Sequence, residues 1–465
     1  MTDASEKLVF DPEKREFKKT EDGFEYCSWE GLDYVAKPAD PIQKVNVFAP
    51  AAYAKGQKCG SYSRETAPIF MPNTVGGYMP GPCDYPGNKN FPTNSKTIVA
   101  ALKRGYVVVS AGLRGRTLES GKAPAFIVDM KAAVRWVKYN SGRLPGNAQR
   151  IITNGTSAGG ATSALTGASG NSSFFEKYLE EIGAAPGTDD IFAVSAYCPI
   201  HNLEHADAAY EWEFCGINDW HRTKIEGFKD GKPNFVPVSG ELTAEEQTLS
   251  PQLKDQFIAY LNSLNLQDPE TGEKLSLNPD GSGSFRDLVI KYLKASAQKA
   301  LADKPELAKA DYLTVKDGQV TDLDWDKYFH FITRMKAVPA FDDLDAKSPE
   351  TDLFGEKGGK PRHFTSFSQE HSHVDTTLAP ADLIAAVNPV AHLLSGQTDT
   401  PKYWRIRHGA SDRDTSFAIP VILATLLANQ GKEVDFALPW GIPHSGDYDL
   451  DELFDWIDRI AEKEG

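Results

Sequence analysis

The sequence predicts an α/β protein with a mostly parallel sheet, and three observations carry that prediction. Short apolar, β-branched runs recur ahead of helix-period segments. A G-x-S-x-G pentapeptide, Gly155-Thr156-Ser157-Ala158-Gly159, stands at one such strand-to-helix junction. The rhythm breaks after about residue 200 and resumes near residue 400, so one fold is interrupted by one long insertion.

Taken in order, residues 45–48, 67–71, 106–110, 151–152 and 192–197 read as strands, because each is a short apolar run bounded by polar or turn residues. Residues 126–139 space apolar side chains at helical period, and 158–167 are small and helix-tolerant. From 201 to 399 the chain turns polar, with helical stretches at 252–264 and 285–301 and a turn cluster at Asn278-Pro279-Asp280-Gly281. The strand pattern returns at 402–408 and 433–438, separated by a helix over 419–429, and a helix over 449–461 closes the chain. The expected organisation is a catalytic core of residues 1–200 and 400–465, with 201–399 as an inserted, largely helical lid.

The balance of 65 acidic against 50 Lys+Arg residues gives a formal charge of −15, with no long basic run. Such a surface repels phosphate backbones and anionic lipid, which argues against nucleic-acid and membrane partners. Five scattered cysteines without a C-x-x-C read as reduced thiols. The acidic, polar start and an apolar run of only 419–428 near the C-terminus give neither a leader nor a membrane span, so the expected location is cytoplasmic.

A serine at a strand-to-helix elbow needs a base, and the base an orienting acid. With the order serine, acid, histidine, the last two fall on loops after late strands. His408-Gly409-Ala410-Ser411-Asp412-Arg413-Asp414 follows one such strand and Pro439-Trp440-Gly441-Ile442-Pro443-His444 the other. His444 is therefore the expected base. Asp412 and Asp414 compete as acid; Asp412, nearer the strand end, is assigned to the triad, which leaves Asp414 to point into the pocket. Two N–H donors for an oxyanion are expected from Ala158, after the nucleophile, and from the glycine-bearing loop Met71-Pro72-Asn73-Thr74-Val75-Gly76-Gly77-Tyr78.

Two further motifs invite a metal reading. His201-Asn202-Leu203-Glu204-His205 has H-x-x-E-H spacing but starts directly after a strand and Pro199, and His371-Ser372-His373-Val374-Asp375 lacks a histidine after its aspartate. Neither is taken as a metal site, and no cofactor is expected.

Longer stretches resemble the bacterial tannases of lactobacilli, members of the α/β-hydrolase superfamily. These are residues 71–78, 154–161, 196–205, 405–416 and 443–448, and the likeness runs over nearly the whole chain. The resemblance implies a serine esterase that cleaves galloyl esters of gallotannins and simple gallates to release gallic acid. It implies Ser157, Asp412 and His444 as triad, Gly77 and Ala158 as oxyanion amides, and Lys336, Glu350 and Asp414 as partners of the galloyl hydroxyls. Ile200 and Pro349 sit where the family clamps the ring. The chemistry is consistent with this, since vicinal phenol donors suit carboxylate acceptors and a nearby ammonium favours phenolate character. The chain departs from the fungal tannase and feruloyl esterase pattern, because Thr156 and Ser445 stand where that branch bridges cysteines. The alternatives are a feruloyl or general carboxylesterase with a permissive aromatic-acid pocket, a serine peptidase of prolyl-oligopeptidase type, and a non-catalytic binding protein of the same fold. The oligomeric state is left open.

Overall fold

The computed structural model describes residues 6–229 and 232–464. Thirteen strands are assigned among them: β1 (Glu16–Lys19), β2 (Glu25–Asp33), β3 (Lys44–Pro50), β4 (Pro68–Pro72), β5 (Val107–Ala111), β6 (Asn147–Thr156), β7 (Ala193–Tyr197), β8 (Asp219–Lys229), β9 (Lys232–Glu241), β10 (Leu313–Lys316), β11 (Gln319–Leu323), β12 (Tyr403–Arg407) and β13 (Glu433–Ala437). Nine form one sheet in the order β1-β2-β3-β5-β4-β6-β7-β12-β13. From β5 to β13 every neighbour runs parallel, while β1, β2 and β3 form an antiparallel edge. Each predicted strand is present, and β1 and β2 are additions that the apolar pattern does not signal.

Strands β4, β5, β7 and β12 are buried at every position, which requires cover on both faces of the sheet. Two packed groups of helices are available for this. Helices Pro92–Arg104 and Leu450–Lys463 contact one another, and Phe454 meets Phe70 of β4 edge-on with ring centroids 5.9 Å apart. Helices Ala125–Tyr139, Ala158–Ala168 and Pro389–Ser395 make the second group. The Ala158–Ala168 helix is built of small residues because larger ones have no room. A Cβ on Gly167 would stand 2.4 Å from a Val194 methyl.

β7 and β12 are sheet neighbours in direct register, Tyr403 beside Ala193, although about two hundred residues separate them in the chain. Helices are the main regular structure of that intervening segment. Besides helices Ala244–Ser263 and Ser284–Asp303 it holds two hairpins, β8–β9 and β10–β11. The second hairpin turns on Asp317-Gly318, both at positive φ (48° and 75°), which is the geometry an Asp-Gly dipeptide favours. The hairpins go unannounced in the sequence, because short hairpins lack the long alternating apolar runs that mark core strands. Asn278-Pro279-Asp280-Gly281 does turn, closed by the Gly281 N–H donating to the Asn278 carbonyl at 2.8 Å. None of the five cysteines is paired with another. No helix among the described residues is long and apolar enough to cross a membrane.

Candidate active site

β6, an interior strand, delivers Ser157 at its carboxyl end, and the turn there is built by exclusion. Ser157 sits at φ 61° and ψ −124°, a region costly for a residue with a side chain, with an order-of-magnitude penalty of about 1–3 kcal/mol. It is held by its own N–H donating to the Tyr197 carbonyl (3.0 Å) and by its carbonyl accepting from Ile200 N (3.3 Å). Around it, a Cβ on Gly155 would fall 2.3 Å from the Gly159 carbonyl oxygen, and one on Gly159 would fall 2.6 Å from Asn73 Oδ1. Asn73 clasps the same turn, its amide donating to the carbonyls of Asn154 (3.0 Å) and Gly159 (3.1 Å). The glycines of the motif are thus demanded by contact, and the result is a serine hydroxyl lining a cavity.

Asp412 and His444 arrive on loops after β12 and β13, and the two loops are laced together. Ala410 N–H donates to the Pro439 carbonyl (2.9 Å) and Ser411 N–H to that of Ile442 (3.0 Å). Gly409 has no space for a side chain, since a Cβ would stand 2.1 Å from the Ile442 oxygen. His444 Nδ1 donates to Asp412 Oδ2 at 2.8 Å, and the carboxylate is fully buried. Burial disfavours the imidazolium, but the charge and hydrogen bond of Asp412, with a smaller contribution from Cys198, outweigh it and raise the His444 pKa. The other ring nitrogen, Nε2, is left for chemistry. It stands 4.0 Å from Cys198 Sγ and 3.6 Å from Asp414 Oδ2. Of the two competing aspartates, then, Asp412 takes the Nδ1 side and Asp414 the cavity side.

The cavity holding Ser157 has a volume of about 800 Å³ and is also lined by Gly77, Ile200, Lys336, Pro349, Glu350, Asp414 and His444. The structure brings nine of the ten sequence-predicted site residues into one place as Ser157 or as cavity lining or direct partners of it. Ala158, the tenth, is the first residue of the helix behind the serine. Gly77 has φ +54°. Lys336 Nζ pairs with Asp414 Oδ1 at 2.7 Å and lies 3.8 Å from the centroid of the Phe341 ring. Its segment is tethered to the helix Leu203–Phe214, where Tyr210 Oη accepts from Met335 N and Lys336 N and the Arg334 guanidinium meets buried Glu211 at 2.6 Å. Burial raises the Asp414 pKa, but Lys336, His444 and their contacts outweigh it and the net shift is downward. Glu350 goes the other way: burial pushes its carboxyl pKa up, and Lys336 offsets this only in part. The pocket therefore sets one ionised carboxylate beside a second that protonates more readily.

The two metal-like motifs come apart. His201 lies before the helix that carries His205, buried with both ring nitrogens unpartnered and its pKa lowered by burial to about 3. His205 stacks on Tyr260 at 3.5 Å between centroids, and Glu204 accepts from Asn388. His373 bridges Glu245 and Asp345, each at 3.1 Å. Sequence reasoning missed Asn73 and Cys198 as neighbours of the site. Both stand in stretches it had singled out, directly after β4 and β7, where residues at strand ends converge.

The strand order, the elbow after β6 and the acid and histidine after β12 and β13 define an α/β-hydrolase. The family profile described as BD-FAE matches residues 81–221. The structure of a tannase from Lactobacillus plantarum is 57% identical, covering 98% of this chain and 99% of that one with a TM-score of 0.96. A tannin acyl hydrolase in complex with ethyl gallate is 57% identical at the same coverage with a TM-score of 0.93. A tannase of Fusobacterium nucleatum is 44% identical over 98% of this chain and 99% of that one, with a TM-score of 0.90. No curated protein sequence matches. The chain belongs to the tannase family.

Proposed function

We propose that this protein hydrolyses galloyl esters of gallotannins and of simple alcohols by a two-step acyl transfer through Ser157, releasing gallic acid. The observation that carries the reading is the single cavity in which a strained elbow serine and an Asp412-backed imidazole face an ammonium and two carboxylates. Structures of related tannin acyl hydrolases with ethyl gallate and with 3,4-dihydroxybenzoate support the substrate class.

Ser157 Oγ attacks the ester carbonyl while His444 Nε2 takes its proton. Asp412 holds the ring by Nδ1 and stabilises the imidazolium that forms. The step needs the Ser157 hydroxyl to donate to Nε2, a contact of the kind that tightens when substrate arrives. The alkoxide oxygen then receives the N–H groups of Ala158 and Gly77, each such donor worth on the order of 3 kcal/mol at the transition state. His444 returns the proton to the leaving alcohol, and water repeats the sequence to free gallate.

Specificity comes from the other end of the cavity. Asp414, Glu350 and Lys336 take the three adjacent phenol hydroxyls, with Ile200 and Pro349 against the ring faces. A ring without hydroxyls offers these carboxylates no donors while still covering them, and is rejected. Residues 1–200 and 400–465 form the catalytic unit in this reading, and 201–399 the insertion that supplies Lys336, Pro349 and Glu350. Turnover of methyl gallate, methyl ferulate and p-nitrophenyl acetate tests it: preference for the gallate is expected, and equal rates on all three replace it with a permissive carboxylesterase.

A further inference from the structure

We propose that Arg116 is a positioning residue that couples the oxyanion loop to the helix carrying Glu350, so that acyl recognition and transition-state stabilisation are set by one side chain. The inference rests on the ester-hydrolase reading above. Arg116 belongs to neither the triad nor the cavity lining. Its side chain is nonetheless fixed at both ends. Nε–H donates to the Gly77 carbonyl at 2.8 Å, and Nη1 donates to Asp352 Oδ2 at 2.8 Å. Asp352 lies two residues after Glu350 in the helix Pro349–Leu353. The Arg116 side chain as a whole is four-fifths buried, and a planar fork with two separate acceptors has little freedom to wander.

The surroundings make the link rigid. Lys122 Nζ pairs with the other oxygen of Asp352 and donates to the Arg116 carbonyl at 2.8 Å. Arg116 N–H donates to the Tyr78 carbonyl at 2.8 Å, and Tyr78 Oη in turn donates to the carbonyl of Ile200 at 2.7 Å. Neighbouring Gly115 lies against the loop so closely that a Cβ there would meet the Met79 carbonyl carbon at 2.2 Å.

Peptide geometry shows what this holds. The C=O and the following N–H of a trans peptide point in opposite directions. The Gly76 carbonyl accepts from Met79 N at 2.9 Å, which directs the Gly77 N–H away from that turn. Gly77 and Tyr78, both at positive φ (54° and 55°), are the two central residues of that turn. Arg116 fixes the next peptide plane through the Gly77 carbonyl. Its hold on Asp352 brings the Glu350 helix into the same rigid unit.

The test compares Arg116→Gln and Arg116→Lys with the native protein, measuring kcat on methyl gallate and p-nitrophenyl acetate, gallate Kd by calorimetry, and the thermal midpoint. Arg116→Gln loses both contacts, so kcat falls about tenfold on both esters and gallate binds several-fold more weakly. Arg116→Lys keeps a charge for Asp352 but not the fork, so kcat falls while gallate Kd stays within about twofold. Added ethylguanidinium restores part of the kcat of Arg116→Gln. The coupling is overturned if kcat on p-nitrophenyl acetate stays within about twofold of native in Arg116→Lys, or if only gallate affinity changes in Arg116→Gln. Should Arg116→Gln not fold, the lysine variant alone decides. Turnover surviving in Ser157→Ala refutes the hydrolase reading instead, and so separates the two failures.

Discussion

The two ends of the cavity are made by different physics. At the elbow, Gly155, Gly159 and Asn73 fix the backbone by contact and hydrogen bonding, and a missing side chain matters as much as one present. At the acyl end, Lys336, Asp414 and Glu350 are charged side chains brought from two distant segments and balanced against burial. The first end tolerates almost no change of shape and the second almost no change of charge. Chemistry and selectivity should therefore separate under mutation.

The largest expected effect is at the elbow. Ser157→Ala should lower turnover of methyl gallate by about four orders of magnitude or more while gallate still binds, because the charge cluster is untouched. Calorimetry beside the assay checks both halves; gallate affinity lost together with turnover would mean that the two ends are not separable. Next, Gly155→Ala should cost about 3 kcal/mol of stability, since its Cβ meets the Gly159 carbonyl and also the Asn73 amide that clasps the turn. Urea unfolding measures this, and an unchanged midpoint would show that the turn can relax.

The acyl end gives smaller, selective effects. Glu350→Gln keeps the shape and removes the charge, so the preference for methyl gallate over methyl benzoate should drop about tenfold to a hundredfold, with p-nitrophenyl acetate hydrolysis barely altered. Equal losses on all three esters would place Glu350 in the chemical step. The smallest effect is with pH. The raised Glu350 pKa means that, as pH falls towards the ordinary carboxylate range, this group gains protons in the fold before it does in the unfolded chain. Its protonation removes an acceptor for phenol hydroxyls but relieves a buried charge, so KM for methyl gallate should rise while the stability difference from Glu350→Gln shrinks. Titrating both proteins by activity and by denaturation reads the two trends, and parallel trends would contradict the assignment.

The same contrast accounts for what could be read from sequence. The elbow was legible because its requirements are local: a β-branched run, small residues and a serine within five positions. Asp412 and His444 were legible at one remove, through loop position after late strands. Lys336 and Glu350 carry no local signal, as a lysine before a proline and a glutamate after one look like solvated charges, and only family resemblance singled them out. Asn73, Arg116 and Asp352 were invisible as partners because each acts through a contact between segments far apart in the chain. Within the inserted segment, helices showed by periodicity, whereas β8 to β11 are paired among themselves and never needed the apolar alternation of a strand in a core.

The direct pairing of β12 with β7 has a consequence for how the molecule assembles and varies. The sheet is completed only when the chain closes a loop of about two hundred residues, where an ordinary crossover closes about twelve. Closure entropy grows only as the logarithm of length, so the extra four doublings cost on the order of 2.5 kcal/mol, a debt the segment's own packing can cover. Lengthening or shortening it by tens of residues changes that figure by only tenths of a kcal/mol. Recognition can thus be rebuilt in length as well as in sequence, on a sheet whose stability hardly registers the change.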